Sequence, residues 1–156
     1  MNSVTAPSLR VVVQAEDFDA GSLQRELLSG SCEEGAIATF TGYVRSANRG
    51  RQLRAMELEH YPGMTERSIL AIVEEAAGRW PVLAATALHR TGSLSPGDQI
   101  VWVGVASAHR EGAFAACEFI MDYLKTRAPF WKRELHEDGA SWVEARTSDE
   151  DRASRW

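Results

Sequence analysis

Residues 99–136 read QIVWVGVASAHREGAFAACEFIMDYLKTRAPFWKRELH, and the changes of period within this stretch decide the fold. Gln99 to Ala106 is nearly continuous in apolar residues, the pattern of a central strand. Ser107 to Arg110 leads into a helix whose apolar set is Ala113, Phe114, Cys117, Ile120, Met121 and Leu124. Ala128 precedes Pro129, and the residue before a proline disfavours helical geometry, so the helix ends there. From Phe130 to His136 the period becomes two, which predicts a strand returning at once from the helix end.

The flanking sequence extends the same alternation. Leu9 to Gln14 is a short valine-rich strand. Asp19 or Ser22 caps a brief helix carrying Leu23, Leu27 and Leu28, which Gly30 ends. Gly35 to Arg45 is a strand, with Gly42 marking a bulge or a close backbone approach. Ser46 to Gln52 is a polar surface loop, and Leu53 to His60 a strand with Met56 and Leu58 facing inward. Ile69, Ile72, Val73, Ala76 and Trp80 predict a helix that Pro81 stops. Val82 to Arg90 is a strand, and Gly92 to Gly97 a loop with a strong turn signal at Ser95-Pro96-Gly97-Asp98. Phe130–His136 and Trp142–Arg146 form two strands joined through Asp138-Gly139. Strand pairs separated by single helices predict an α+β fold with antiparallel sheets packed against helices, not a doubly wound parallel sheet. Residues 1–8 form a tail and 9–156 one domain, a length that buries roughly 70% of the unfolded surface.

Composition narrows the function. The net charge of −5 disfavours non-specific nucleic-acid binding by the overall field. The hydrophobic fraction is 44% and no apolar run is long enough to span a bilayer. Met1 to Ser8 lacks a signal-peptide pattern, so the cytoplasm is the expected compartment. Cys32 and Cys117 are far apart and form no zinc or disulfide pattern, so no metal is expected.

The basic residues are distributed unevenly. Of 17 lysines and arginines only Lys125 and Lys132 are lysine, and they flank the helix end and its proline. A lysine can lose its proton when its surroundings disfavour charge, whereas a guanidinium cannot. A helix end followed by a returning strand can bring both amines to one cavity, where neighbouring cations would ease deprotonation for acid–base or nucleophilic work. The other reading is two snorkelling surface lysines. Lys132 and Glu134 share a strand face, so Glu134 could hold Lys132 in place. Ser107-Ala108-His109-Arg110, at a strand-to-helix junction, is either an anion site or a polar cap with exposed neighbours. Arg45 and Arg146, at strand ends, would add to an anion-binding pocket on an acidic protein. His60 at its turn reads as structural.

Several segments occur in order in one family: Phe40-Thr41-Gly42-Tyr43-Val44-Arg45, Leu58-Glu59-His60-Tyr61-Pro62-Gly63-Met64, His89-Arg90-Thr91-Gly92, Gly97-Asp98, Ser107-Ala108-His109-Arg110, and Met121 through Lys132. By these the chain resembles the large, catalytic subunit of molybdopterin synthase, from about Leu9 to the C-terminus. The resemblance implies an α/β hammerhead-type fold and a sulfurtransferase of molybdenum cofactor biosynthesis. Such an enzyme converts cyclic pyranopterin monophosphate (precursor Z) into molybdopterin, using the C-terminal Gly-Gly thiocarboxylate of a small ubiquitin-like carrier. It implies a homodimer with a carrier at each end, a heterotetramer, and no cofactor. It assigns Lys125 and Lys132 as the catalytic pair. Arg45, His109, Arg110, Met121 and Arg146 are then substrate-binding, with His109 and Arg110 reaching across the dimer interface, and Glu134 is structural support. A binding module that kept the pocket without activity and a nucleotide-binding regulator are the competing classes.

Overall fold

The structure is a computed structural model and describes residues 5–143 and 147–156. Among the described residues ten strands and four helices run in the order β1 (Ser8–Gln14), α1 (Ala20–Glu26), β2 (Ala36–Tyr43), β3 (Ala47–Asn48), β4 (Arg51–Gln52), β5 (Ala55–His60), α2 (Met64–Arg79), β6 (Val82–Arg90), β7 (Gly92–Leu94), β8 (Gln99–Ser107), α3 (Arg110–Leu124), β9 (Phe130–His136), β10 (Gly139–Val143) and α4 (Thr147–Ala153). One sheet has the order β1-β6-β8-β2 and the other β10-β9-β5-β7, while β3 and β4 make a separate hairpin. The pairing is antiparallel except between β1 and β6, which run parallel.

β8 is apolar along its length because both faces are covered. Val101, Val103 and Val105 face α2 and α3 in the main core with Ile69, Val73, Phe119 and Ile120. Trp102 and Ala106 face the other way, against Leu23 and Leu27 at α1. Gly104 makes room on that face: a Cβ there would lie 2.8 Å from Leu27 Cδ1 and closer still to the Trp102 ring. A third, smaller core of Val44, Leu53, Met56, Leu58 and Leu94 fills the second sheet, with Met56 and Leu58 inward as their alternation requires.

The β2–β8 register shifts between Gly42 and Tyr43, where the glycine predicts a bulge. A Cβ at Gly42 would sit 2.6 Å from Val101 Cγ1, which explains the residue. Three segments carry more structure than the sequence suggests. The 46–52 loop contains the β3–β4 hairpin, turning through Arg49 and Gly50, both at positive φ. Gly92–Leu94, expected as loop, is the edge strand β7 paired to β5. The polar C-terminal segment forms α4, with Ala153 buried and Trp156 packed edge-on against Trp80 and Phe119. Its Trp156 Nε1–H donates to Asp122 Oδ2 at 2.6 Å, and Arg79 Nη1 donates to the Trp156 carbonyl at 2.7 Å.

Candidate active site

α3 ends at Leu124, one residue before Lys125, which caps it in helical geometry. The corner that follows is fixed by main-chain and side-chain bonds. Arg127 N–H donates to the Tyr123 carbonyl at 2.7 Å, and its guanidinium lies 3.8 Å from the Tyr123 ring centroid. The fully buried Thr65 hydroxyl donates to the Pro129 carbonyl at 3.1 Å. The chain then enters β9, an interior strand, where Lys132 sits between Leu58 of β5 and Val143 of β10. Lys125 and Lys132 therefore open on one cavity of about 310 Å³. Arg45 and Tyr43 also line it, as do Asn48, Glu134, His89, Phe130 and Asp149. Arg45 is exposed at the end of β2, just after Val44, whose N–H and C=O bond to the Asp98 carbonyl and the Gly97 N–H.

Glu134 is buried beneath the cavity. Its Oε1 accepts from Asn48 Nδ2 at 2.6 Å, tying the β3–β4 hairpin to β9, and its Oε2 meets His136 Nε2 at 3.1 Å. His136 Nδ1 donates to the Gln52 carbonyl at 2.7 Å, so the network closes on both strands of the hairpin. His89 stacks on Phe130 with ring centroids 3.9 Å apart, and its Nδ1 donates to the Arg90 carbonyl at 2.8 Å. Burial pushes the His89 pKa down to about 4, and the nearby Lys125, Lys132 and His60 add to the effect. The ring is thus neutral at physiological pH.

The remaining sequence candidates are placed elsewhere. His109 and Arg110 are exposed at the opposite end of α3, fifteen residues before Lys125, a span of roughly 22 Å at 1.5 Å per residue. Within one chain they do not reach the lysine cavity. His109 caps α3 without a side-chain bond of its own, and the Ser107 hydroxyl donates to the Pro81 carbonyl at 2.9 Å while accepting a long bond from the His109 N–H at 3.5 Å. Met121 is half-buried against the main core and does not line the cavity. Arg146 lies outside the described residues. His60 pairs with Glu66 at 3.4 Å, and Glu66 accepts from Gly63 N–H at 2.6 Å, a structural arrangement at the start of α2. Sequence reasoning missed His89, Asn48 and Asp149, which reach the cavity through the sheet-to-sheet corner, the hairpin and α4. The histidine of the His89-Arg90-Thr91-Gly92 segment was the one available signal. Among the described residues no group of three or more His, Cys, Asp or Glu could hold a metal ion, and no helix is long and apolar enough to cross a membrane.

Comparison with known proteins identifies the family and the fold. The family model described as MoaE protein matches residues 13–127. The molybdopterin synthase catalytic subunit of Escherichia coli (strain K12) is 54% identical over 147 residues, covering 94% of this chain and 97% of that protein. The solved molybdopterin biosynthesis MoaE protein of Burkholderia ambifaria is 47% identical, with a TM-score of 0.80 over 96% of this chain and 97% of the other. The crystal structure of molybdopterin synthase from Staphylococcus aureus superposes with a TM-score of 0.77 at 30% identity, over 85% of this chain and 94% of that one. The family model spans well over half of the chain and these relatives nearly all of it, and on this match the chain belongs to the MoaE protein family.

Proposed function

We propose that this chain is the catalytic subunit of a molybdopterin synthase. It moves sulfur from the C-terminal thiocarboxylate of a small ubiquitin-like carrier onto cyclic pyranopterin monophosphate, building the dithiolene of molybdopterin. The observation that carries this reading is the convergence of Lys125, Lys132 and Arg45 on one cavity of about 310 Å³. That volume suits a small polar ligand and an inserted peptide end.

The chemistry asks for what the cavity offers. The thiocarboxylate brings an activated sulfur, so the enzyme needs no thiol of its own. Neither cysteine lines the cavity, and Cys117 is buried with its thiol pushed up to about 12 by burial. Sulfur forms a bond to a side-chain carbon of the pterin as a carbon–oxygen bond at that carbon breaks and the oxygen leaves with a proton, and water then cleaves the acyl–sulfur bond, freeing the carrier as its carboxylate. Both steps move protons. Lys125, exposed at the C-cap of α3, is the main acid–base group, with acyl transfer to its amine as an alternative course. Lys132, held in an interior strand, positions and polarises. Arg45 attracts the cyclic phosphate. Glu134 supports the site through the hairpin and β9.

His109 and Arg110 lie too far along α3 to serve their own cavity, so a homodimer in which a second copy's α3 N-terminus meets this cavity is part of the proposal. With one carrier on each copy the assembly is a heterotetramer. Both cysteines are free, in keeping with a reducing cytoplasm. The test is reconstitution from purified chain, carrier and precursor, with the carrier supplied either as thiocarboxylate or as plain carboxylate. Dithiolene product from the thiocarboxylate alone is expected. Binding of both ligands without product would leave only a pocket-keeping binding module.

A further inference from the structure

His89 is a titratable group in the cavity that the reaction above leaves unused. It sits at the seam between the two sheets: β6 ends one residue later, and the chain turns through Gly92, at a φ of 86°, into β7 of the second sheet. Its position is fixed on every side. The backbone pairs with Val13 and Val101, and the ring lies on Phe130 at an interplanar angle of 24°. The neighbouring Arg90 is clamped to the Ala15 carbonyl at 3.0 Å and the Gln99 carbonyl at 2.9 Å.

The hydrogen bond at Nδ1 fixes the tautomer. A carbonyl oxygen only accepts, so Nδ1 carries the proton that goes to the Arg90 carbonyl. The ring is neutral, so Nε2 keeps its lone pair on a side chain that lines the cavity with both lysines. The carboxylates among the described residues of that lining are Glu134 and Asp149. A carboxylate beside a lysine favours the ammonium and opposes its deprotonation. A neutral imidazole can hold an amine without that electrostatic bias. It is a poor proton sink for a lysine: with a conjugate acid near 4 against a lysine reference of about 10.4, transfer is uphill by roughly six orders of magnitude. Its role is therefore a hydrogen bond, with no net proton transfer. The Lys125 charge also weighs on His89 more than the Lys132 charge does.

We infer that His89 is a positioning residue for Lys125: its Nε2 accepts a hydrogen bond from the Lys125 amine during turnover and aims the amine at the reacting atoms. This inference rests on the sulfur-transfer reading. The test compares His89→Phe, which keeps a ring to stack on Phe130 but has no acceptor, with His89→Gln, whose Oε1 replaces Nε2. In the reconstituted reaction, kcat of the Phe variant is expected to fall by roughly tenfold to a hundredfold, with KM for the pterin and Tm little changed. The Gln variant is expected to recover most of the loss. The nitrogen spectrum of the labelled wild-type protein at pH 7 is expected to show His89 Nε2 unprotonated, and this reading does not depend on either variant folding. A Phe variant with kcat within about threefold of wild type overturns the inference. So does an equal loss of kcat and Tm in both variants, which marks a packing role, or a protonated Nε2. Wild-type protein that makes no product sinks the sulfur-transfer reading as well, whereas an active wild type with an indifferent Phe variant sinks the role of His89 alone.

Discussion

Lys125 and Lys132 illustrate how one corner sets the chemistry. Seven residues apart, they are brought to one cavity because α3 stops just before Lys125 and β9 starts two residues before Lys132. Lys125 is exposed, so Lys125→Ala is expected to cut turnover by at least about a hundredfold while Tm moves by less than a few degrees. Product assay and thermal melt on one preparation check this; near-normal turnover would remove Lys125 from the mechanism. The cysteines make a second residue-level case. Cys32 is exposed, and Cys117 is buried with its thiol pushed up to about 12. Brief alkylation at pH 8 is expected to label Cys32 only, and replacing both by serine and alanine respectively to leave sulfur transfer intact. Mass mapping and the product assay read both outcomes. His89 gives a third. Its folded pKa of about 4 lies below its ordinary value of 6.5, so the unfolded chain binds the proton more readily. Stability that depends on the neutral ring is complete above about pH 6.5 and is lost as pH falls toward 4, by at most about 3 kcal/mol. Urea unfolding at pH 7 and pH 4.5 is expected to show a smaller acid loss in His89→Phe than in wild type. The surface carboxylates Asp17, Asp19, Glu34 and Asp138, held low by hydrogen bonds, titrate in both proteins and cancel in that comparison.

At the scale of elements, α3 joins the core to the site. Phe119 is fully buried and touches Trp80, Tyr123 and Trp156 edge-on, so it binds α2, α3 and the segment after α4 together. Phe119→Ala is expected to cost about 3–5 kcal/mol, measured by urea unfolding. A loss below about 1 kcal/mol would mean that the aromatic cluster does not clamp the C-terminal segment. How much of this was legible depended on periodicity. β8, α3 and β9 follow from runs of apolar residues at strand or helix spacing, and the Gly42 bulge from a glycine inside a strand. The β3–β4 hairpin was read as loop because its strands have two residues each and its closure comes from Asn48 on Glu134 and Gln52 on His136, pairings 86 and 84 residues apart. β7 carries no period in its three residues, and α4 gives no helical period because its sequence is polar apart from Ala153 and the Trp156 that follows it. The same reason hid Asp149 and Asn48 from the candidate site, whereas Lys125, Lys132 and Arg45 stood out by residue type.

At the scale of the whole molecule, the basic groups proposed for the anionic substrate sit at two ends of one helix. Lys125 lies at its C-terminal end and His109 and Arg110 at its N-terminal end, roughly 22 Å apart along the axis. Gly35 fixes the latter end: its N–H donates to the Ser107 carbonyl at 3.0 Å, and a Cβ there would collide with the Ala108 carbonyl oxygen. A rigid helix cannot bring its own two ends together, so a site that uses all these groups must draw on two copies. A two-fold arrangement provides this twice, each copy lending its α3 N-terminus to the other's cavity. The arrangement has a quantitative consequence. Lys125→Ala and Arg110→Ala are each expected to be nearly inactive alone. Mixed in equal amounts and allowed to exchange subunits, they form hybrids in half of all dimers, and each hybrid holds one cavity with both native groups. Activity is then expected to return to about a quarter of the wild-type value. If lysine and arginine served the same protomer's cavity, every cavity in the mixture would carry one defect and no activity would return. Measuring product before and after exchange, with size-exclusion chromatography to confirm the dimer, separates the two cases.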